Sequence, residues 1–508
     1  MKKMKSKTTP WLFRCRAHFS IYPAMLRSLK DPVVWMQVLR DMGLLLLVSI
    51  ALACFCVTKN GGMDLYMSTF LPMLCVLTVL FVFTEALDSS RTITFCTSIL
   101  ILTGLTLQIL LMLPAKEGQT LSAFGLVAHN VIALIFAAGA LPVIRWLLAE
   151  VTGKNLTRIL VAFMVCLYLA LFILGTTHNS TRAWISVGSF EFQVTEVIKV
   201  VALISFAVVF VNPALPHRAR LDQALGILFL NAVFLLMINE LGTLCVLGVS
   251  YILMAVVYQP SLKRLAVTIT LGVLAAAMVL SLCFLCFQAK YPPQEETEET
   301  ISVTEAAETE SEVEEGIQLN PIGELGAKIY RKFQLRMELV LNPDSVDPDA
   351  GGYQARKAKE SLVLSNWFGS ALEVAIPVAK SDYIFCYLLL KMGVCFGIAV
   401  LLMLLCILLS AFQGCLQTDS PLEGAVGLAF VFAIVAQALI AAASSTGYFI
   451  TVGLPFAFLA DGGSAMLTNY TMIFYLIYAV RRRNPVPAPS PFANIPRRKE
   501  KFHEKQTC

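Results

Sequence analysis

The chain has 508 residues, of which 57% are hydrophobic and 14% charged, with a formal net charge of +5. A soluble domain of this length could not hide so much apolar surface. The apolar residues also fall in blocks near or above the roughly 18–20 residues that cross a bilayer, so the pattern excludes a soluble enzyme and requires an all-α polytopic membrane protein.

In chain order, residues 1–41 form a basic tail from Lys2 and Lys3 to Arg40, with Asp31 the lone acid of the first forty residues. That start is too basic, and too long before its first apolar run, to resemble a cleaved signal peptide. About twelve spans are then expected, near 42–58, 64–86, 92–114, 121–148, 158–175, 193–211, 222–238, 241–258, 264–288, 383–412, 423–446 and 456–480. The first is short enough to lie at the interface instead. The seventh and eighth are separated only by the polar pinch Asn239-Glu240 and can equally be one long bent element. Arg145, Lys154 and Arg158, Arg218 and Arg220, Lys263 and Arg264, and Arg481 to Arg483 fall on one side with both termini, which the positive-inside rule makes cytoplasmic. The basic tails are expected against anionic membrane lipids, so the positive charge reads as membrane surface and not nucleic acid. The fourteen cysteines lie mostly within the spans, as Cys54, Cys166, Cys283 and Cys406 do, and are expected as small buried hydrophobes.

One long polar segment, 289–382, is expected on the outer face. Residues 294–315 are rich in Glu, Thr and Ser with almost nothing to bury, and read as disordered. Residues 322–342 place Ile329, Phe333, Met337 and Leu341 against Lys328, Arg331, Lys332 and Arg336 at helical spacing, which suits an interfacial helix. Residues 341–354 make an irregular Pro- and Gly-rich turn holding Asp344, Asp347 and Asp349.

Chemistry is expected where charge enters the apolar runs. Residues 179–199 carry Arg182 and Trp184 in an interfacial loop, then Glu196 and Lys199 into a span. An ionisable group at a bilayer centre costs about 2.5–3.5 kcal/mol on insertion scales, and a spacing of three places both on one helical face. The two are either a structural ion pair or the wall of a polar cavity. Buried pairs are weak stabilisers, so the cavity is the reading taken forward. Asp347 can act as a general base if its pKa suits, although Asp beside Pro and Gly is also an ordinary turn former. Glu240 and Asp382 each stand at a helix end. Gly462-Gly463-Ser464 interrupts the last apolar run, either for close helix packing or to start a helix with free amides.

Together and in order, these runs resemble the SEDS family (shape, elongation, division, sporulation) of RodA, FtsW and SpoVE proteins. The family's N-G-A-x-R-W-I, Gly, F-Q-P-S-E-l-a-K is matched by Asn179, Arg182, Trp184, Ile185, Gly188, Phe192, Gln193, Glu196 and Lys199. Its P-D-l-G-T is similar to Asn239-Glu240-Leu241-Gly242-Thr243. Its N-P, D-P-x-G-x-G-Y-Q and S-L resemble Asn342-Pro343, Asp347-Pro348, Gly352-Tyr353-Gln354 and Ser361-Leu362. Its P-e-a-x-T-D-F-I-F resembles Pro377 to Phe385. A pattern of Gln, Gly and Gly fits Gln437, Gly447 and Gly453, and S-y-G-G-S-S resembles Ala460 to Ala465.

The resemblance implies a ten-span core in 89–288 and 383–480, interrupted by the extracellular loop 289–382, preceded by two additional spans in 42–88 and followed by a basic tail, 481–508. It implies an inverting peptidoglycan glycosyltransferase of the bacterial plasma membrane that polymerises lipid II, for cell shape, division or sporulation, beside a class B penicillin-binding protein. Asp347 would be the catalytic residue. Arg182, Trp184, Glu196, Lys199, Glu240, Gln354, Asp382, Gly462, Gly463 and Ser464 would line the substrate and pyrophosphate cavity. A divalent cation, magnesium or manganese, is the candidate cofactor, with no organic one. The sequence departs from the family at Leu390-Lys391-Met392-Gly393, where two carboxylates are lost, and at Ala441, Ser365 to Gly369 and Ala460-Asp461. The alternatives are a lipid II flippase and a non-catalytic scaffold for the penicillin-binding protein.

Overall fold

The computed structural model describes residue 22 and residues 29–57, 61–113, 124–150, 153–178, 181–187, 190–259, 261–291, 320–342 and 352–482. The acidic tract, the turn carrying Asp347 and most of both basic tails lie outside the described residues. The chain divides into two compact units, Met1–Pro260 with Arg356–Cys508, and Ser261–Ala355.

Eleven helices among the described residues are long and apolar enough to cross a membrane. They are α1 (Pro32–Val57), α2 (Gly62–Ala86), α3 (Arg91–Met112), α4 (Phe124–Glu150), α5 (Gly153–Leu174), α6 (Val194–Val211), α7 (His217–Met237), α8 (Leu241–Tyr258), α9 (Leu262–Lys290), α13 (Val394–Leu416) and α14 (Pro421–Ser445). The shorter elements are α10 (Pro321–Leu341), α11 (Gly352–Val363), α12 (Ile384–Met392) and α15 (Gly463–Ala479), with β1 (Thr176–His178), β2 (Thr181–Val187) and β3 (Phe190–Gln193) between α5 and α6.

Three differences from the sequence reading have local causes, and the choice left open between α7 and α8 falls to two separate spans. Helix α1 runs for 26 residues rather than as a short span, because Pro32 sits at its start and Asp31 accepts from Val33 N at 3.0 Å. The expected tenth span is broken into α12 and α13 at Gly393, whose φ of 93° ends one helix and begins the next. The segment before the break fills it: Val394 N donates to Asn366 O at 3.0 Å, Cys395 N to Trp367 O at 3.1 Å, and Ser370 N to Leu390 O at 2.7 Å. Between α7 and α8, Asn239 takes a left-handed φ of 63°, a conformation Asn tolerates, so these are two helices and not one bent element. The expected interfacial loop before α6 is a small antiparallel sheet, β1-β2-β3, in which Trp184 pairs with Thr176 on one side and Gln193 on the other. The alternation of Thr, Trp, Ile, Val and Phe through this stretch favours extended backbone.

The cysteines also divide differently from expectation. Cys56, Cys283, Cys386 and Cys415 are buried, whereas Cys54, Cys166 and Cys406 are exposed on the flanks of their helices. A thiol is small and apolar enough for either position.

The first unit is built around α6 and α14. Within their apolar windows 89% and 94% of residues are buried, so each is hydrophobic all round, as a central helix must be. α14 packs against α6, α8, α13 and α15, and α15 packs most extensively on α4. The N-terminal hairpin α1–α2 is bound to this unit by Arg91, which reaches Glu85 Oε1 at 2.5 Å, and by Phe83 stacked on Phe474 at 3.9 Å. In the second unit α10 lies on α9, with Tyr330 against Phe284 and Phe287 at 5.0 and 5.3 Å and its start capped by Asn320. The amphipathic segment is therefore a helix, as its spacing predicts.

Residues 446–462, between α14 and α15, turn back over the end of the bundle and press on α3. A Cβ at Gly104 would stand 2.7 Å from the carbonyl oxygens of both Phe458 and Leu459. Those atoms are backbone and cannot rotate away. Gly104→Val should therefore cost about 1–3 kcal/mol as overpacking. Thermal unfolding of the purified protein in detergent tests this, and an unchanged midpoint would contradict the close approach.

Candidate functional site

The residues singled out in the first unit gather at one end of the bundle, around the segment 446–462. The centre of the group is a buried charge network. Lys199 Nζ donates to Glu196 Oε2 at 2.7 Å and to Gln437 Oε1 at 2.8 Å. Thr468 Oγ1 donates to the same Glu196 oxygen at 2.5 Å, and Gln437 Nε2 donates to Pro455 O at 2.9 Å. The Glu196 and Lys199 side chains are each 1% exposed. Two charges so removed from water require this arrangement, in which each has an opposite partner and further hydrogen bonds. The helical spacing of three brings the pair together on α6, while α14 and α15 deliver the neutral groups. In this structure the pair is sealed within its network.

The sheet leads into that network. Gln193 caps the start of α6 with extended backbone, and its N–H donates to Ser464 Oγ at 2.9 Å, tying β3 to the first turn of α15. Arg182 on β2 is half-buried; its Nε donates to Gly175 O at 3.0 Å and its backbone N–H to Ile238 O at 3.1 Å. Arg182 is thereby held beside the α7–α8 break. Trp184, also half-buried, sits two positions along the same strand. Glu240 caps α8 and is buried, with Thr243 Oγ1 donating to it at 3.3 Å. The next residue but one, Gly242, faces the 446–462 segment so closely that a Cβ would meet Leu454 Cγ at 2.7 Å.

Asp382 stands in the turn before α12, and a Cβ on Gly453 would lie 3.4 Å from its Oδ2. Gly453 itself has a φ of 62°, so the residue type there is fixed by backbone geometry as well as by space. Burial pushes the Asp382 carboxyl above its ordinary value of 3.8, with a hydrogen bond from Ser381 opposing the shift. Nearby, Asp461 Oδ1 meets His129 Nδ1 at 3.0 Å, its N–H donates to Lys380 O, and Gln108 Nε2 bonds the same carbonyl at 2.9 Å. Gly462 is the N-cap of α15. A Cβ at Gly463 would meet nothing, and one at Gly462 would make ordinary contacts at 3.6 Å, so packing does not demand these glycines. The helix-start reading fits them and the close-packing reading does not.

Two predicted site residues are not in the first unit's described residues. Gln354 is half-buried in the first turn of α11 and belongs to the second unit. Asp347 lies outside the described residues. Among the described residues no three His, Cys, Asp or Glu side chains are grouped to hold a metal ion. Sequence reasoning missed Thr468 and gave Gln437 no partner. The available signals were a single amide in the otherwise apolar run of α14 and a hydroxyl one turn after Ser464.

Two outcomes follow. Lys199→Met strands a buried carboxylate and should destabilise the protein by about 3–5 kcal/mol, whereas Glu196→Gln with Lys199→Met should recover most of that loss. Additive losses in a double-mutant cycle of unfolding free energies would refute the coupling. For Asp382 the folded chain holds its proton more tightly than the unfolded chain does. Its contribution to stability is therefore present below 3.8 and is lost as pH rises through the higher folded value. Asp382→Asn should remove that part of the pH slope in thermal unfolding, and a slope identical to wild type would contradict it.

A family model described as cell cycle protein, FTSW_RODA_SPOVE, matches residues 90–295 and 322–485. A probable peptidoglycan glycosyltransferase FtsW from Shewanella sediminis is 26% identical over 357 residues, spanning 66% of this chain and 73% of the relative. One from Synechocystis sp. is 23% identical over 342 residues, spanning 66% of this chain and 75% of the relative. Among solved structures, a chain from a peptidoglycan synthase complex that coordinates polymerization and crosslinking superposes with a TM-score of 0.52 at 16% identity. The match covers 77% of this chain and 97% of that one, a likeness of fold.

Proposed function

The chain belongs to the family of FtsW, RodA and SpoVE cell cycle proteins, and from that premise we propose that it is a peptidoglycan glycosyltransferase that polymerises lipid II in the bacterial plasma membrane. The observation that carries this reading is the buried Glu196–Lys199–Gln437–Thr468 network, joined through Gln437 to the 446–462 segment. The pair ties helices together, and a step that expels a pyrophosphate also needs fixed positive charge close to the leaving group.

In this reading Asp347 removes the proton from the 4-hydroxyl of the acceptor GlcNAc. That oxygen forms a bond to the anomeric carbon of the donor MurNAc as the bond from that carbon to the pyrophosphate oxygen breaks, with inversion. Undecaprenyl pyrophosphate departs with the electron pair. Arg182 and Lys199 neutralise its charge, Trp184 supplies an apolar wall, and Glu196 holds Lys199 in place. Glu240, Asp382, Gln354 and the α15 start at Gly462, Gly463 and Ser464 shape the rest of the substrate site. Among the described residues no three His, Cys, Asp or Glu side chains are grouped to hold a divalent cation. A class B penicillin-binding protein that crosslinks the glycan is the proposed partner, and the charge of the short loops supports a cytoplasmic side for both termini.

The test is polymerisation of purified lipid II by the full-length protein in detergent or nanodiscs. Asp347→Asn should abolish product, and Arg182→Ala should reduce turnover by about 10²-fold or more, as expected for removal of a group that stabilises transition-state charge. Undiminished polymerisation by Asp347→Asn would sink the assignment.

A further inference from the structure

One side chain connects the buried ammonium to the segment over the bundle end. Gln437, 0% exposed, accepts from Lys199 Nζ through Oε1 and donates through Nε2 to the carbonyl of Pro455, midway along 446–462. The chemistry fixes which amide atom faces which partner, since an ammonium only donates and a carbonyl only accepts. The two contacts are the two ends of one rigid planar group, so moving one moves the other. The segment packs against α3 and α8 through Leu454, Phe458 and Leu459, and it is hydrogen-bonded near its ends. Tyr448 N and Phe449 N bond Ala443 O, Val452 N bonds Ser444 Oγ at 3.2 Å, and Asp461 N bonds Lys380 O. Left-handed φ values at Gly447, Gly453 and Phe458 mark three places where the path turns sharply.

We propose that Gln437 is a positioning residue that couples anion occupancy at Lys199 to the conformation of residues 446–462. The inference rests on the reading above, in which Lys199 receives a pyrophosphate. Two of the three ammonium protons go to Glu196 and Gln437. A phosphate oxygen competes with a neutral amide oxygen more readily than with a carboxylate, because charge-assisted hydrogen bonds are roughly twice as strong as neutral ones. An arriving pyrophosphate therefore displaces Gln437 and leaves Glu196 in place. The freed amide rotates, Pro455 O loses its donor, and the segment that Gly242, Gly104 and Asp382 contact is released. Departure of the product reverses each step. The same side chain thus reports the leaving group's presence to the surface that admits the next substrate.

Glutamate at this position separates the two halves of the device. Gln437→Glu retains an acceptor for Lys199 and has no N–H for Pro455. Gln437→Leu removes both contacts. Thr471→Val removes a buried hydroxyl that bonds Leu467 O on its own helix and keeps the network whole.

The experiment is hydrogen exchange by mass spectrometry on the full-length protein in nanodiscs, reading peptides across 446–462 with and without inorganic pyrophosphate. In wild type, pyrophosphate should speed exchange of these amides at least tenfold. Gln437→Glu and Gln437→Leu should show the fast rate without pyrophosphate and no further response to it, while α6 peptides stay protected as evidence of folding. Thr471→Val should keep the wild-type rate and response within about twofold. A wild-type response that survives in Gln437→Glu overturns the coupling, as does a wild-type segment indifferent to pyrophosphate. Neither readout uses lipid II, so failure of the coupling is distinguished from failure of the glycosyltransferase reading, which polymerisation alone decides.

Discussion

The constraint on which the rest of the structure depends is the buried pair of Glu196 and Lys199. Neither charge tolerates isolation where water is excluded, so every element that supplies a partner is held to α6. α14 is held by Gln437, α15 by Thr468, and residues 446–462 by Pro455 through Gln437. Apolar packing between membrane helices is weakly directional, since lipid tails are as apolar as the side chains they replace. Hydrogen bonds to a buried charge supply the direction that packing lacks.

A second charged cluster holds the other end of the same two helices. Arg481 Nη2 reaches Glu423 Oε2 at 2.8 Å, Tyr478 OH donates to Glu423 Oε1 at 2.9 Å, and Arg145 Nε bonds Tyr478 OH at 2.9 Å. The Arg481 guanidinium also stacks 3.7 Å from the Tyr478 ring centre. With both ends of α14 and α15 fixed by charge, their relative register is set along its length. The segment that connects them at the opposite end is buried against α3 and carries left-handed backbone at Gly447, Gly453 and Phe458.

The sequence made the spans legible because a bilayer imposes a length that apolar blocks reveal directly. It made Glu196 and Lys199 legible because charge inside such a block is costly. What it concealed depended on distant partners. The break at Gly393 follows from carbonyls of Asn366 and Trp367, which lie in a preceding polar stretch. The sheet before α6 was masked by its polar lead-in, and the first turns of α1 by Arg40 and Asp41. Thr468 gave little signal, because a hydroxyl in a membrane helix commonly bonds its own backbone, as Thr468 also does to Ala465 O at 3.0 Å. Asp347 was identified through the family resemblance, and its turn alone would have passed for ordinary turn chemistry.

The central claim is that this membrane bundle makes glycosidic bonds, as distinct from moving lipid II across the bilayer or recruiting another polymerase. The most direct measurement is the release of undecaprenyl pyrophosphate from lipid II by the purified protein alone, counted against the disaccharide linkages in the glycan. The account predicts one undecaprenyl pyrophosphate for each new linkage. Transfer of intact lipid II between leaflets with no pyrophosphate released would contradict it.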